Sequence, residues 1–250
     1  MAHEQVSIRT ADGECPVHIL TPAGQGPWPV VIVYMDALGI RPALIDLAKR
    51  LAKNGYLAVL PDMYYRSGPY QMPTPTEAFA SRDLMAIIGP HMAKTGPLKA
   101  AEDTGYILDY MDRRSDVGGR KVGTVGFCMG GGMALAAAGI WPDRVAAAAS
   151  YHAGGIASDA PDSPHRLATK MKGEIYVAGA ENDGSYPPEM ARRMDKALSD
   201  AGVNHRCEIY EGALHGWMKP DFPVYNKEAA ERGWREMLSL FWRNLRQQPH

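Results

Sequence analysis

The chain has 250 residues, a formal net charge of −1 at pH 7 and a hydrophobic fraction of 46%. That length fits one large α/β domain or two small ones, and the apolar content is ample for a buried core. Near-zero charge leaves no electrostatic footprint for nucleic acid or an anionic membrane, no segment approaches the ~20 apolar residues of a membrane span, and the polar start lacks the apolar run of a signal peptide.

In chain order, apolar stretches at residues 6–8 and 17–20 flank an Asp12-Gly13 turn, predicting an antiparallel hairpin. Residues 30–34 form a continuous apolar run, as expected of a strand buried on both faces. Pro42 opens a helix with Leu44, Ile45, Leu47, Ala48, Leu51 and Ala52 on one broad face, and Gly55 ends it. A strand at 57–60 stops at Pro61. Residues 62–76 read as an irregular loop carrying Tyr64, Tyr65 and Tyr70. Helical patterns follow at 78–88 and 98–111. Strands are expected at 145–150, 175–180 and 207–210, with a helix over 187–201 closed by Gly202. The final helix places Trp234, Met237, Leu238, Phe241, Trp242 and Leu245 on one stripe. Strands alternating with helices argue for a mostly parallel sheet covered on both faces, here a single domain over residues 1–250.

The most informative segment is Val122 to Gly131, V-G-T-V-G-F-C-M-G-G. A short apolar strand enters a Gly-x-Cys-x-Gly-Gly turn, and a small-residue helix follows over 132–138. This is a nucleophile elbow with cysteine in place of serine. Side chains two positions either side of the nucleophile would clash, which suits Gly126, Gly130 and Gly131. The helix opening after Cys128 aims free N–H groups and a positive dipole end at the site, favouring a thiolate and an oxyanion. A dinucleotide-binding turn would need G-x-G-x-x-G, which is absent here. The three cysteines, Cys15, Cys128 and Cys207, are odd in number and widely spaced. They form no C-x-x-C and no Cys/His cluster, so neither a disulfide framework nor a zinc site is indicated. A reducing, cytoplasmic compartment is the default expectation.

A cysteine nucleophile needs a base, and the base needs an orienting acid. Asp183 lies just past the strand at 175–180, with Glu181 as the competing acid. His215 lies in the loop after the strand at 207–210, with His152, itself at a strand end, as a rival base or pocket residue. In an open parallel sheet such carboxyl ends line one crevice. The order nucleophile, acid, histidine is that of α/β hydrolases.

On these residues the chain resembles the dienelactone hydrolase family of the α/β-hydrolase superfamily. The most specific parts are Gly126-Phe-Cys-Met-Gly-Gly, the loop from Gly179 to Asp183 and Leu214-His-Gly-Trp. The resemblance implies an α/β-hydrolase fold and a triad of Cys128, Asp183 and His215 that hydrolyses an ester or enol-lactone, with no metal or organic cofactor. It further implies that Asp36, where the family has a glutamate, takes part in activating the thiol, and that the amides of Ala37 and Met129 form the oxyanion hole. Where the family holds a substrate carboxylate with arginines, the matching positions are Lys219 and, less well aligned, Arg82, with Arg66 as its rival. Lysine lacks the bidentate fork of arginine. Tyr64, Tyr65, Tyr70 and Trp217 are candidates to line a pocket for a larger apolar or aryl group.

The reading is a cysteine-dependent ester or lactone hydrolase with a small-molecule substrate, working as a monomer or homodimer. A redox-active thiol protein would need a resolving cysteine, and none is near Cys128 in the sequence. A non-catalytic binding module on the same fold is the other alternative.

Overall fold

The computed structural model describes residues 1–246. Eight strands form one sheet: β1 (Ala2–Arg9), β2 (Glu14–Thr21), β3 (Trp28–Tyr34), β4 (Leu57–Pro61), β5 (Val117–Phe127), β6 (Val145–Tyr151), β7 (Glu174–Ala180) and β8 (His205–Tyr210). Their order is β1-β2-β4-β3-β5-β6-β7-β8. The hairpin β1–β2 is antiparallel and joins β4 antiparallel, and every later pairing is parallel. This is the mixed, mostly parallel sheet of an α/β-hydrolase fold, with helices on both faces.

Burial follows position in the sheet. All of β6 is buried and so is β3 from Val30 onward, as β-branched and alanine runs between two helical layers must be. At the edge, β1 is exposed along most of its length and fully buries only Ile8. Helix α1 (Pro42–Lys53) starts at proline and buries Leu44, Leu47, Ala48, Leu51 and Ala52. The chain then leaves through Gly55, at a φ of 81° that favours glycine.

The region between β4 and β5 departs from the sequence reading. Where one helix is expected over 78–88, there are two, α2 (Pro75–Ala80) and α3 (Leu84–Met92). Thr74 and Glu77 form a reciprocal capping box that starts α2. The Ser81 hydroxyl accepts a bond from the Asp83 amide at 3.2 Å, a local alternative to helix that separates the two. Helix α4 (Pro97–Met111) then leads to β5. Helix α5 (Met129–Ile140), rich in Gly and Ala, is buried over most of its length and packs on α4, β5 and β6. After β7 comes α6 (Pro188–Asp200), and after β8, α7 (Lys227–Phe241). The chain beyond α7 widens into a π-helical turn over Trp242–Arg246. Trp242, placed on the buried stripe by the sequence pattern, is 48% exposed at the start of that turn.

Candidate active site

The carboxyl ends of β5, β7 and β8 carry the central groups. Cys128 follows β5 directly and caps α5 at φ 53° and ψ −120°, a conformation L-residues rarely hold. Glycines make the turn possible. A Cβ on Gly126 would strike the Gly130 carbonyl, and one on Gly130 would strike the carbonyl oxygens of Tyr34 and Met35. The strand, the turn and the end of β3 are therefore in backbone contact, and Cys128 is left partly exposed at the tip. Met129 is the first residue of α5, so its N–H has no partner within the helix. Ala37, in the turn after β3, is nearly buried.

Asp183 and His215 reach the same place from the loops after β7 and β8. The His215 Nε2 lies 3.2 Å from the Cys128 Sγ. Its Nδ1 donates to the Asp183 Oδ2 at 2.7 Å, since an ionised carboxylate can only accept. The other oxygen, Oδ1, accepts from the Ser185 amide at 2.9 Å and from the Ser185 hydroxyl at 2.5 Å. The Ser185 hydroxyl also lies 3.2 Å from His215 Nδ1. Burial pushes the imidazole of His215 toward neutrality, but the hydrogen bonds to Asp183 and Cys128 outweigh it and lift its pKa to about 10. Burial likewise works against ionised Asp183, yet the bonds from His215 and Ser185 hold its carboxyl below the usual carboxylate range.

Asp36 is 1% exposed, and its hydrogen bonds go to groups other than the Cys128 thiol. Arg41 grips it with two parallel bonds, Nη1 to Oδ1 at 2.7 Å and Nη2 to Oδ2 at 2.9 Å, and the Leu38 amide donates to Oδ1 at 3.0 Å. Arg41 Nε also donates to Asp221 at 2.6 Å. Burial disfavours the Asp36 charge, and the adjacent Lys219 and Arg41 more than restore it, so its pKa falls.

Lys219 has no solvent exposure. Its Nζ is 3.5 Å from Asp36 Oδ2 and 4.0 Å above the Phe127 ring. Burial drives its pKa down to about 8 against the pull of Asp36. The lysine thus sits inside the Asp36 cluster rather than on an open binding surface. Arg82 is exposed in the break between α2 and α3.

The aromatic candidates are packed rather than open. Trp217 is fully buried and stacks on Tyr210 at 4.4 Å. Tyr64 is buried and donates to the Ala37 carbonyl at 3.0 Å, which braces the turn holding the Ala37 amide. His152 is fully buried at φ 39°, with neither ring nitrogen finding a hydrogen-bond partner among the described residues and its ring 5.4 Å from that of His215. Burial keeps it neutral. Arg41 and Ser185 are absent from the sequence reading. The spacing of Asp183 and Ser185, two residues apart in a Gly-containing turn, is a signal for a local side-chain bond. No local pattern marks Arg41.

Residues 16–245 match the model of the dienelactone hydrolase family. The chain belongs to that family. It is 30% identical over 234 residues to a Synechocystis protein provisionally named carboxymethylenebutenolidase, covering 92% of each chain. An Escherichia coli protein with the same provisional name is 30% identical over 227 residues, covering 90% of this chain and 80% of that one. Among solved structures, a Klebsiella pneumoniae protein provisionally called a dienelactone hydrolase superposes with a TM-score of 0.84 at 24% identity. It covers 96% of this chain and 98% of its own, a likeness of fold. This dienelactone hydrolase family member is thus an α/β-hydrolase enzyme in which a cysteine and a histidine are in contact. No helix of the described residues is long and apolar enough to cross a membrane.

Proposed function

We propose that the chain is a cysteine-dependent hydrolase of activated carboxylic esters or enol-lactones, acting through a thioester. The observation that carries this is the unbroken line from Cys128 Sγ through the His215 imidazole to Asp183. The Cys128 thiol gives its proton to His215 Nε2 and its sulfur attacks the substrate carbonyl, whose oxygen becomes an oxyanion beside the amides of Ala37 and Met129. Each such donor is worth roughly 3–4 kcal/mol in a preorganised site. Collapse breaks the ester C–O bond, and protonated His215 supplies the proton to the departing alkoxide or enolate. Neutral His215 then takes a proton from water, hydroxide adds to the thioester, and the Cys128 sulfur leaves and recovers a proton from His215. Asp183 orients the imidazole and stabilises its charged form.

The choice of substrate follows from leaving-group chemistry. A thiolate is expelled more readily than an alkoxide, so simple alkyl esters return to starting material. An enolate or aryloxide leaves forward. Asp36 acts through the backbone, because its carboxylate holds the Leu38 amide and so shapes the turn carrying the Ala37 amide. We further take residues 1–250 to be one hydrolase domain that uses no cofactor and works in the cytoplasm.

The test is intact-mass analysis after mixing the protein with an aryl ester or a dienelactone, with Cys128→Ala in parallel. An acyl adduct with turnover, and a loss of about 10³-fold or more in the variant, is expected. Full activity in Cys128→Ala overturns the reading.

A further inference from the structure

A second set of ligating side chains lies away from the triad, between α6 and the edge strand β8. We propose that Asp195, His205 and Cys207 form a binding site for a zinc-class divalent cation that ties α6 to β8. Spacing along the sequence does not reveal it, because Asp195 lies ten residues before His205. The fold assembles it. Residues two apart on a strand share a face, so His205 and Cys207 both point from β8 toward the helix that covers it. Asp195 projects from α6, and one ligand atom from each of the three residues lies within 4.8 Å of the others.

The hydrogen bonding favours a cation. His205 Nδ1 is 2.8 Å from the Val203 carbonyl, which can only accept, so Nδ1 carries the ring proton. In the neutral ring Nε2 is then a bare lone pair. It faces Asp195 Oδ1 at 3.2 Å, a second group with only lone pairs to offer, with the Ser199 hydroxyl farther off at 3.5 Å. A proton on Nε2 or a cation between the two removes the conflict, and the Cys207 sulfur beside them is the ligand that suits the cation. A backbone carbonyl on the far nitrogen is also the usual way a ligating histidine is oriented. Tetrahedral zinc with N and O ligands sets them about 3.4 Å apart, close to the spacing found. Imidazole, thiolate and carboxylate together match a borderline-soft ion and leave a fourth position for water. Binding exchanges the Cys207 S–H bond for an S–metal bond and releases that proton, and His205 keeps its Nδ1 proton on the Val203 carbonyl.

The test uses the full chain carrying Cys128→Ala, which removes the thiol beside His215 as a rival thiolate site, after chelator treatment and dialysis. One equivalent of Co²⁺ is expected to bind with a thiolate-to-metal charge-transfer band and the visible spectrum of four-coordinate cobalt. Zn²⁺ in roughly 100-fold excess over its Kd is expected to raise the unfolding midpoint by roughly 5–8 °C. Cys207→Ser in the same background is expected to lose the band. Asp195→Asn, at an exposed helix position, is expected to weaken binding roughly tenfold or more with the fold intact. Absence of a thiolate band in the Cys128→Ala chain, or a band that survives Cys207→Ser, overturns the site and leaves His205 and Asp195 as a simple ion pair.

Discussion

Along Asp183, His215 and Cys128 the contacts run in a line, one bond to each side of the imidazole, and the line ends at a sulfur partly open to solvent. Around Asp36 the contacts close on themselves. Arg41 and Lys219 supply two positive charges, Asp36 and Asp221 two negative ones, and Arg41 binds both carboxylates. The open line can exchange a proton at its sulfur end, between Cys128 and the imidazole that Asp183 holds. In the closed cluster each charge faces an opposite one and no group reaches the thiol, and Asp36 holds the backbone of the turn through the Leu38 amide. On the proposed mechanism, charged contacts serve chemistry in one place and shape in the other.

Asp183→Asn breaks the line and carries the largest expected effect of the changes that keep the thiol. Its kcat/KM is expected to fall about 10³–10⁴-fold, because the amide no longer favours the charged imidazole. The pH profile gives an independent sign. His215 has a folded pKa near 10 against 6.5 for the free group, so its charged form is favoured in between. The stability it contributes is full below about 6.5 and lost as pH rises through about 10. The alkaline limb of kcat/KM is accordingly expected near pH 10 in the parent and displaced toward 6.5 in Asp183→Asn. A limb that stays in place refutes the role given to Asp183.

Asp36→Ala opens the closed cluster. It strands Lys219 without its anion, a loss of about 3 kcal/mol or more and roughly 6–12 °C in the midpoint of thermal unfolding. Adding Lys219→Met to that variant is expected to recover most of the loss, because the buried charge goes too. Failure of the double variant to recover would mean that the lost bond to the Leu38 amide, and not the stranded Lys219 charge, carries most of the destabilisation. The smallest effect is expected from Ser185→Ala, which leaves the His215–Asp183 bond and removes only one brace on Asp183. About a tenfold drop in kcat/KM is expected, with the alkaline limb nearly unmoved, measurable by the same pH series.

What was legible in the sequence was local. The alternation of apolar strands and amphipathic helices repeats at short range, and so does the glycine pattern around Cys128, which only a sharp strand-to-helix turn explains. Asp183 and His215 were readable because each lies just past a strand, where the parallel topology gathers side chains. The contacts of Asp36 were not readable, since Arg41 and Lys219 reach it through the folded turn and from a segment more than 180 residues away. For the same reason Lys219, matched to a substrate-facing position, turns out to be buried under Asp36 and Phe127. The α2–α3 break escaped notice because Ser81 and Asp83 suit a helix surface as well as a turn. Only the local bond decides between them.

The backbone angle at Cys128 bears on how this enzyme responds to selection. At φ 53° a residue with a side chain costs on the order of 1–3 kcal/mol, whereas glycine holds that conformation without strain. Heat resistance and turnover therefore pull this position in opposite directions. A Cys128→Gly chain is expected to melt above the parent while hydrolysing nothing. A thermal screen blind to activity would retain the inert molecule and discard the enzyme.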